Sequence, residues 1–426
     1  MKKLFITMAA ALLAVMLAAP TYAADNLELS GSYFARAWSV DDAGHTEDND
    51  QDYFHQRFRM QGTINVADDV KAVIRADFAE AIWGDEFTSG SVARPGIQAE
   101  ADEDGNDYDT MHIDRTYINI NKEMWNLTVG QQYAGLGILE VFDANITGAN
   151  FGLNFDPVAV NLIYAKIDEG GDNGGYGGYN RTDDSNFGGV DTEDTDAYVA
   201  NVSFGMGGFD SNVYGAMMND DSAAEAEPYA VGFMTAGTVG MVNLTAELDF
   251  FGGDNAANVD YVGTQMYVKA DTDVTDMVNV GGELFWAAGT DEADETQITG
   301  LTDWASWTPT TSNTFLSTWA TATLGWGSGF QPLGGSAGSV GASIFADFTP
   351  MEKLSCGTKI AYFETEEDSI NDGDLTSLNA YVAYNLATST TVSLAYLYSD
   401  ADLEINNVDQ DLEKEQTLVA EISLAF

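Results

Sequence analysis

Cysteine is all but missing: Cys356 is the only one in 426 residues. It can close no intrachain disulfide, and without a Cys-x-x-Cys-His motif the chain attaches no c-type haem by itself. Histidine is nearly as scarce, at His45, His55 and His112, which leaves little for a histidine-built metal or catalytic centre. Basic residues are also few, 16 against 68 acidic, for a net charge of −52. Phosphate backbones would be repelled, so nucleic acid is excluded as a partner. Proline numbers only 7 while aromatics reach 12%, a balance that argues against the disorder an acidic excess would otherwise imply. Long apolar runs are absent except Leu4–Ala19. That run is short of the roughly 20 residues a spanning helix needs. It follows Lys2 and Lys3 and leads to Thr21-Tyr22-Ala23, so residues 1–23 read as a secretory signal and residues 24–426 as the mature domain. Any embedding in a membrane must then be by strands.

What the chain does have is alternation. In the closing stretch Gln416–Phe426, Leu418, Ala420, Ile422, Leu424 and Phe426 fall on one face and Thr417, Val419, Glu421 and Ser423 on the other. The same period runs through Leu27–Trp38, Arg57–Val66, Val70–Phe78 and Arg115–Ile120. It is cleanest at Met241–Phe251 and continues in later runs up to Thr391–Ser399. Acids gather in the segments between, such as Ala101–Asp109 and Thr182–Asp196. Short connections at 67–69, 121–125, 156–157, 205–208, 237–240, 271–276, 349–353 and 386–390 alternate with longer ones. Short turns on one side and long loops on the other are the pattern of a transmembrane barrel. The fold expected is all-β: a transmembrane antiparallel up-and-down β-barrel of about 18 strands, with 16 the alternative.

A final strand ending in Phe426, behind a secretory signal, resembles a Gram-negative outer-membrane β-barrel, and more narrowly a general diffusion porin. With the apolar face toward lipid, Arg36, Arg57, Arg59, Arg75 and Arg115 point inward from the first four strands, with Lys71 beside them. Each would be costly on the lipid face, by about 2–4 kcal/mol at mid-depth. In general porins the third extracellular loop folds into the barrel opposite arginines on the first strands. Tyr133–Thr147 resembles that loop, and its charges, Glu140 and Asp143, are the expected acidic side of the constriction. The resemblance implies passive diffusion of small hydrophilic solutes and ions, an outer-membrane location among lipid and lipopolysaccharide, and a homotrimer. It implies no enzymatic reaction and no cofactor. Gly31, Ala35, Ala37, Gly62, Ala72 and Ala76 on the outer face are candidates for the subunit contact.

Other readings stay open at this stage. A solute-specific channel, or a barrel sheath housing a partner such as a cytochrome, would share the alternation. An outer-membrane enzyme would need a base and a nucleophile, and His112 near Asp114 supplies no nucleophile. Ala101–Asp109 is rich in oxygen ligands but lacks the spacing of a helix-flanked calcium loop, leaving divalent cations only a bridging role between acidic loops. Inward acids Glu247, Asp249, Glu283, Asp347 and Glu421 add negative potential to later strands.

Overall fold

An alternating strand can cross a bilayer only if neighbours take up the backbone groups on both its edges. The computed structural model of the chain meets this condition with a closed antiparallel ring. It describes residues 26–42, 49–82, 111–168, 195–220, 225–254, 259–290, 294–301, 338–366, 371–405, 408–409 and 413–426. The leader, the Ala101–Asp109 stretch and the four tryptophans between 304 and 326 lie outside the described residues.

The strands are β1 (Leu27–Asp41), β2 (Gln51–Ala67), β3 (Val70–Ile82), β4 (Met111–Asn121), β5 (Trp125–Leu136), β6 (Phe142–Phe155) and β7 (Val158–Asp168). Then come β8 (Thr195–Met206), β9 (Phe209–Asp220), β10 (Tyr229–Val239), β11 (Val242–Asp254), β12 (Asp260–Thr275) and β13 (Val278–Ala287). The short β14 (Glu295–Gln297) precedes β15 (Ser339–Met351), β16 (Leu354–Glu364), β17 (Asn371–Ala387) and β18 (Thr390–Ile405). The two-residue β19 (Val408–Asp409) and β20 (Glu415–Ala425) complete the chain. Eighteen of these form the barrel wall. The short β14 runs parallel to the start of β12, and β19 folds back on β18. The expected count of 18 holds, and no helix among the described residues is long and apolar enough to span a membrane.

The ring closes where the first strand meets the last. β1 pairs with β20 from Ser32↔Ala425 to Asp41↔Gln416. Gly31 N–H donates to the Phe426 carbonyl at 2.9 Å and Phe426 N–H returns the bond at 3.0 Å. The Phe426 ring lies over Gly31 and stacks on Phe58, 6.0 Å between centroids. Gly31, expected in a subunit contact, is thus covered by the chain's own terminus. Side-chain exposure follows the alternation. Leu418 and Ile422 are each 45% exposed on the outside, while Thr417 and Val419 inside are 1% and 0% exposed.

One pair of strands leaves the wall. β5 pairs with β4 only as far as Thr116↔Gln131, and β6 meets β7 only from Thr147↔Lys166 onward. Between those limits the two strands pair with each other, from Gln132↔Ile146 to Leu136↔Phe142. At the branch, Gly130 and Gly148 stand opposite one another. Gly130 adopts φ 127°, and a side chain on either would run into the neighbouring strand, 2.4 Å from the Thr116 carbonyl oxygen or 2.0 Å from that of Tyr164. Two facing glycines therefore let the hairpin bend inward at the same level. Leu136, Phe142 and Ile146 then pack on Ile163, Ala165, Val199 and Tyr214 of β7 to β9. Leu139 reaches the far side, against Trp38, Phe285 and Phe363.

The expected inward segment is there, but Tyr133–Thr147 is not one long loop. It is the end of β5, the turn Gly137–Val141 and the start of β6. Its period was hidden because the turn itself is apolar, so Ile138, Leu139 and Val141 blur the alternation of Ala134 and Leu136 against Phe142 and Ile146. Replacing Gly148 by valine is expected to cost on the order of 1–3 kcal/mol through overpacking at the bend. It should lower the yield of heat-modifiable folded barrel on gel electrophoresis. A yield equal to that of the parent protein would contradict the bend.

Candidate pore constriction

The strand registers decide which side chains share the inner wall. Across β1 and β2, Arg36 faces His55, Phe34 faces Arg57 and Ser32 faces Arg59. Across β2 and β3, Arg59 faces Asp77 and Gln61 faces Arg75, and across β3 and β4 Arg75 faces Arg115. Directly paired residues in a sheet point the same way. Arg36, Arg57, Arg59, Arg75 and Arg115 consequently lie on one inner surface of four adjacent strands, together with Lys71.

Like charges so close need compensation, and the wall supplies it. Arg36 Nε donates to Glu421 of β20 at 2.5 Å, which ties the first strand to the last with an ion pair as well as a ladder. Its guanidinium lies 4.1 Å from the centroid of the Phe34 ring, and that of Arg57 lies 5.0 Å from the same ring. Arg59 makes a two-pronged contact with Asp77, Nε to Oδ1 and Nη2 to Oδ2, each 2.5 Å. Arg75 bonds Asp114 through Nε at 2.9 Å and through Nη2. Arg59 Nη2 reaches the same carboxylate at 3.7 Å.

Asp114 owes its place to a bulge. The β3–β4 register passes from Arg75↔Arg115 to Ala76↔Ile113, leaving Asp114 as the extra residue. It turns inward beside Arg115 and is 3% exposed. An unbroken alternation would have sent it to the lipid side, so counting by twos does not find it.

The hairpin forms the opposite boundary. Ala134, Leu136, Phe142 and Ile146 face the β7–β11 wall, so Tyr133 and Asp143 face the other way. The Arg115 guanidinium lies 5.4 Å from the centroid of the Tyr133 ring, and the Tyr133 hydroxyl donates to Asp143. Gly135, without a side chain, leaves room for the ring to lie along the hairpin. Of the two expected acids, Asp143 therefore meets the arginine side through Tyr133, while Glu140 sits in the turn at φ 56°. Asp77, Asp114 and Glu421 are in direct contact with the arginines. Below the hairpin a cavity of about 360 Å³ is lined by Lys71, Val73, Arg115, Tyr117, Asn119, Thr128, Gln132 and Tyr133.

The later inward acids are each engaged from the wall or the hairpin. Glu283 accepts from Lys359 Nζ at 2.6 Å, Ser343 Oγ at 2.7 Å and Tyr267 Oη at 3.1 Å. Asp347 accepts from Tyr381 Oη at 2.9 Å. Tyr214 Oη lies 2.9 Å from Glu247 and 2.6 Å from Asp249. Glu247 also accepts the Ile138 and Leu139 backbone N–H groups. Alternation alone assigns Glu247 only to a negative lumen. The sign of its second role was Gly137, a glycine in the tip of an apolar turn. Among the described residues no three His, Cys, Asp or Glu side chains converge as metal ligands.

No family model and no curated protein matches the chain. Solved structures do. OccAB3 of Acinetobacter baumannii is 11% identical with a TM-score of 0.56, covering 94% of this chain and 100% of its own. OpdK of Pseudomonas aeruginosa, crystallised with vanillate, is 10% identical with a TM-score of 0.55, covering 94% and 99%. A BenF-like porin from Pseudomonas fluorescens Pf-5 is 10% identical with a TM-score of 0.58, covering 94% and 99%. The chain thus shares, over nearly its whole length, the fold of these solved structures.

Proposed function

We propose that the chain is an outer-membrane porin: a channel for passive diffusion of small hydrophilic solutes and ions, with no reaction and no cofactor. The observation that carries this reading is the closed ring, apolar outside and charged inside, narrowed by a hairpin facing an arginine wall. The path runs between the Tyr133–Asp143 side of the hairpin and Arg36, Arg57, Arg59, Arg75 and Arg115. Selection is by size and by the local field. A sheath around a cytochrome is disfavoured, because the hairpin packed on β7 to β9 occupies the space a housed partner would need.

Export by residues 1–23, insertion of residues 24–426 among outer-membrane lipid and lipopolysaccharide, and a homotrimer belong to the same proposal. Divalent cations would act by bridging acidic loops. Gly62, flanked by Leu29 and Ile74, and Ala76 are buried, so Ala35, Ala37 and Ala72 remain as the small outer residues of a subunit contact.

A solute-specific channel is the second reading, favoured by the cavity beneath the hairpin. Its two cations, Lys71 and Arg115, form no ion pair with a carboxylate among the described residues, unlike Arg36, Arg59 and Arg75. Their charge therefore reaches the lumen less cancelled than that of the paired arginines. OpdK, which shares this fold, was crystallised with vanillate, a small molecule.

Two outcomes follow from the charge arrangement. Purified protein in planar bilayers should give stepwise open channels, and the double variant Lys71→Gln, Arg115→Gln should move the reversal potential in a salt gradient toward cations. An unchanged reversal potential would count against an uncancelled basic wall. Asp114→Asn should act the other way, shifting selectivity toward anions and costing about 1.5–3 kcal/mol for the lost charge-assisted bonds to Arg75. Loss of stability without any change of selectivity would make Asp114 purely structural.

A further inference from the structure

The hairpin is held along its shaft by apolar packing, but its turn is held by something else. Gly137 and Glu140 both adopt positive φ, 77° and 56°, so the turn exposes successive backbone N–H groups on one side, an anion-binding concavity. Those N–H groups meet a carboxylate from across the barrel. Ile138 N–H donates to Glu247 Oε2 at 2.5 Å and Leu139 N–H to Glu247 Oε1 at 3.2 Å. Glu247 is 1% exposed, and Tyr214 Oη donates to it from β9 at 2.9 Å. Asp249, two residues along β11, is oriented by the same phenol and by Gln265 Nε2 at 3.1 Å. Gly137 belongs to this arrangement, since a Cβ there would lie 2.3 Å from Glu247 Oε1.

Without Glu247, the two N–H groups would lose their acceptor, and the turn would move to find another. Leu139 would leave Trp38, Phe285 and Phe363 with it. We propose that Glu247 is the positioning residue of the pore: gripping the Gly137–Val141 turn by two backbone amides, it sets the free cross-section between hairpin and arginine wall. This rests on the reading of the barrel as a channel. Glu247 acts through the hairpin and need not touch the solute.

The test compares full-length wild type with Glu247→Ala, Glu247→Gln and Gly137→Ala, each scored for folded barrel by heat-modifiable mobility. Folded Glu247→Ala should conduct roughly twofold more than wild type and admit larger sugars in liposome swelling. Glu247→Gln, keeping one acceptor oxygen, should fall between the two. Gly137→Ala, which pushes a methyl group into the carboxylate, should change conductance in the same direction as Glu247→Ala, and it decides the question if that variant does not fold. Equal conductance and equal size limit in all folded variants would overturn the inference. A folded wild type that forms no channel would instead overturn the channel reading beneath it.

Discussion

Backbone hydrogen bonding in a medium without water governs this structure. Every N–H and C=O that crosses hydrocarbon must find a partner within the protein, and a sheet satisfies all of them only by joining its first strand to its last. The β1–β20 seam does so along ten residue pairs. The Arg36–Glu421 ion pair crosses the seam on the inside, and the Phe426 ring covers Gly31 on the outside. Once the ring is closed, each strand has one face toward lipid and one toward the interior, and the period of two becomes a code for inside and outside.

The interior is then a problem of charge and volume. A ring this wide would be an open hole, and much of it is filled by the β5–β6 hairpin, whose apolar face forms a core with β7 to β9. The remaining passage is lined by arginines that are mostly neutralised where they stand. Three carboxylates, Asp77, Asp114 and Glu421, take up Arg59, Arg75 and Arg36, two from neighbouring strands and one across the seam. Such pairing holds planar guanidinium groups in fixed orientations. Lys71 and Arg115, on the same inner face, have no carboxylate ion pair among the described residues.

Much of this was legible in the chain. The final strand, the short connections and the inward parity of the arginines all follow from alternation, which lipid on one side enforces residue by residue. Three features were not, each for a local reason. Asp114 occupies a bulge, where one extra residue reverses the count. The hairpin's bend depends on Gly130 and Gly148 lying opposite each other, a pairing known only once the register is. Glu247 serves a turn more than a hundred positions away in the chain, and no local pattern reports so distant a contact. Alternation describes a strand's surroundings, whereas these residues are defined by a particular neighbour.

The central claim, that water lies inside the wall and lipid outside it, is tested most directly by accessibility along two adjacent strands. Single cysteines would be placed at Asn119 and Thr128 on the inner face and at Ile118 and Val129 on the outer, in a Cys356→Ser background, and the protein reconstituted in liposomes. A water-soluble maleimide should label the two inner positions and spare the two outer ones. Labelling of Ile118 and Val129 positions as fast as the inner pair would contradict the account.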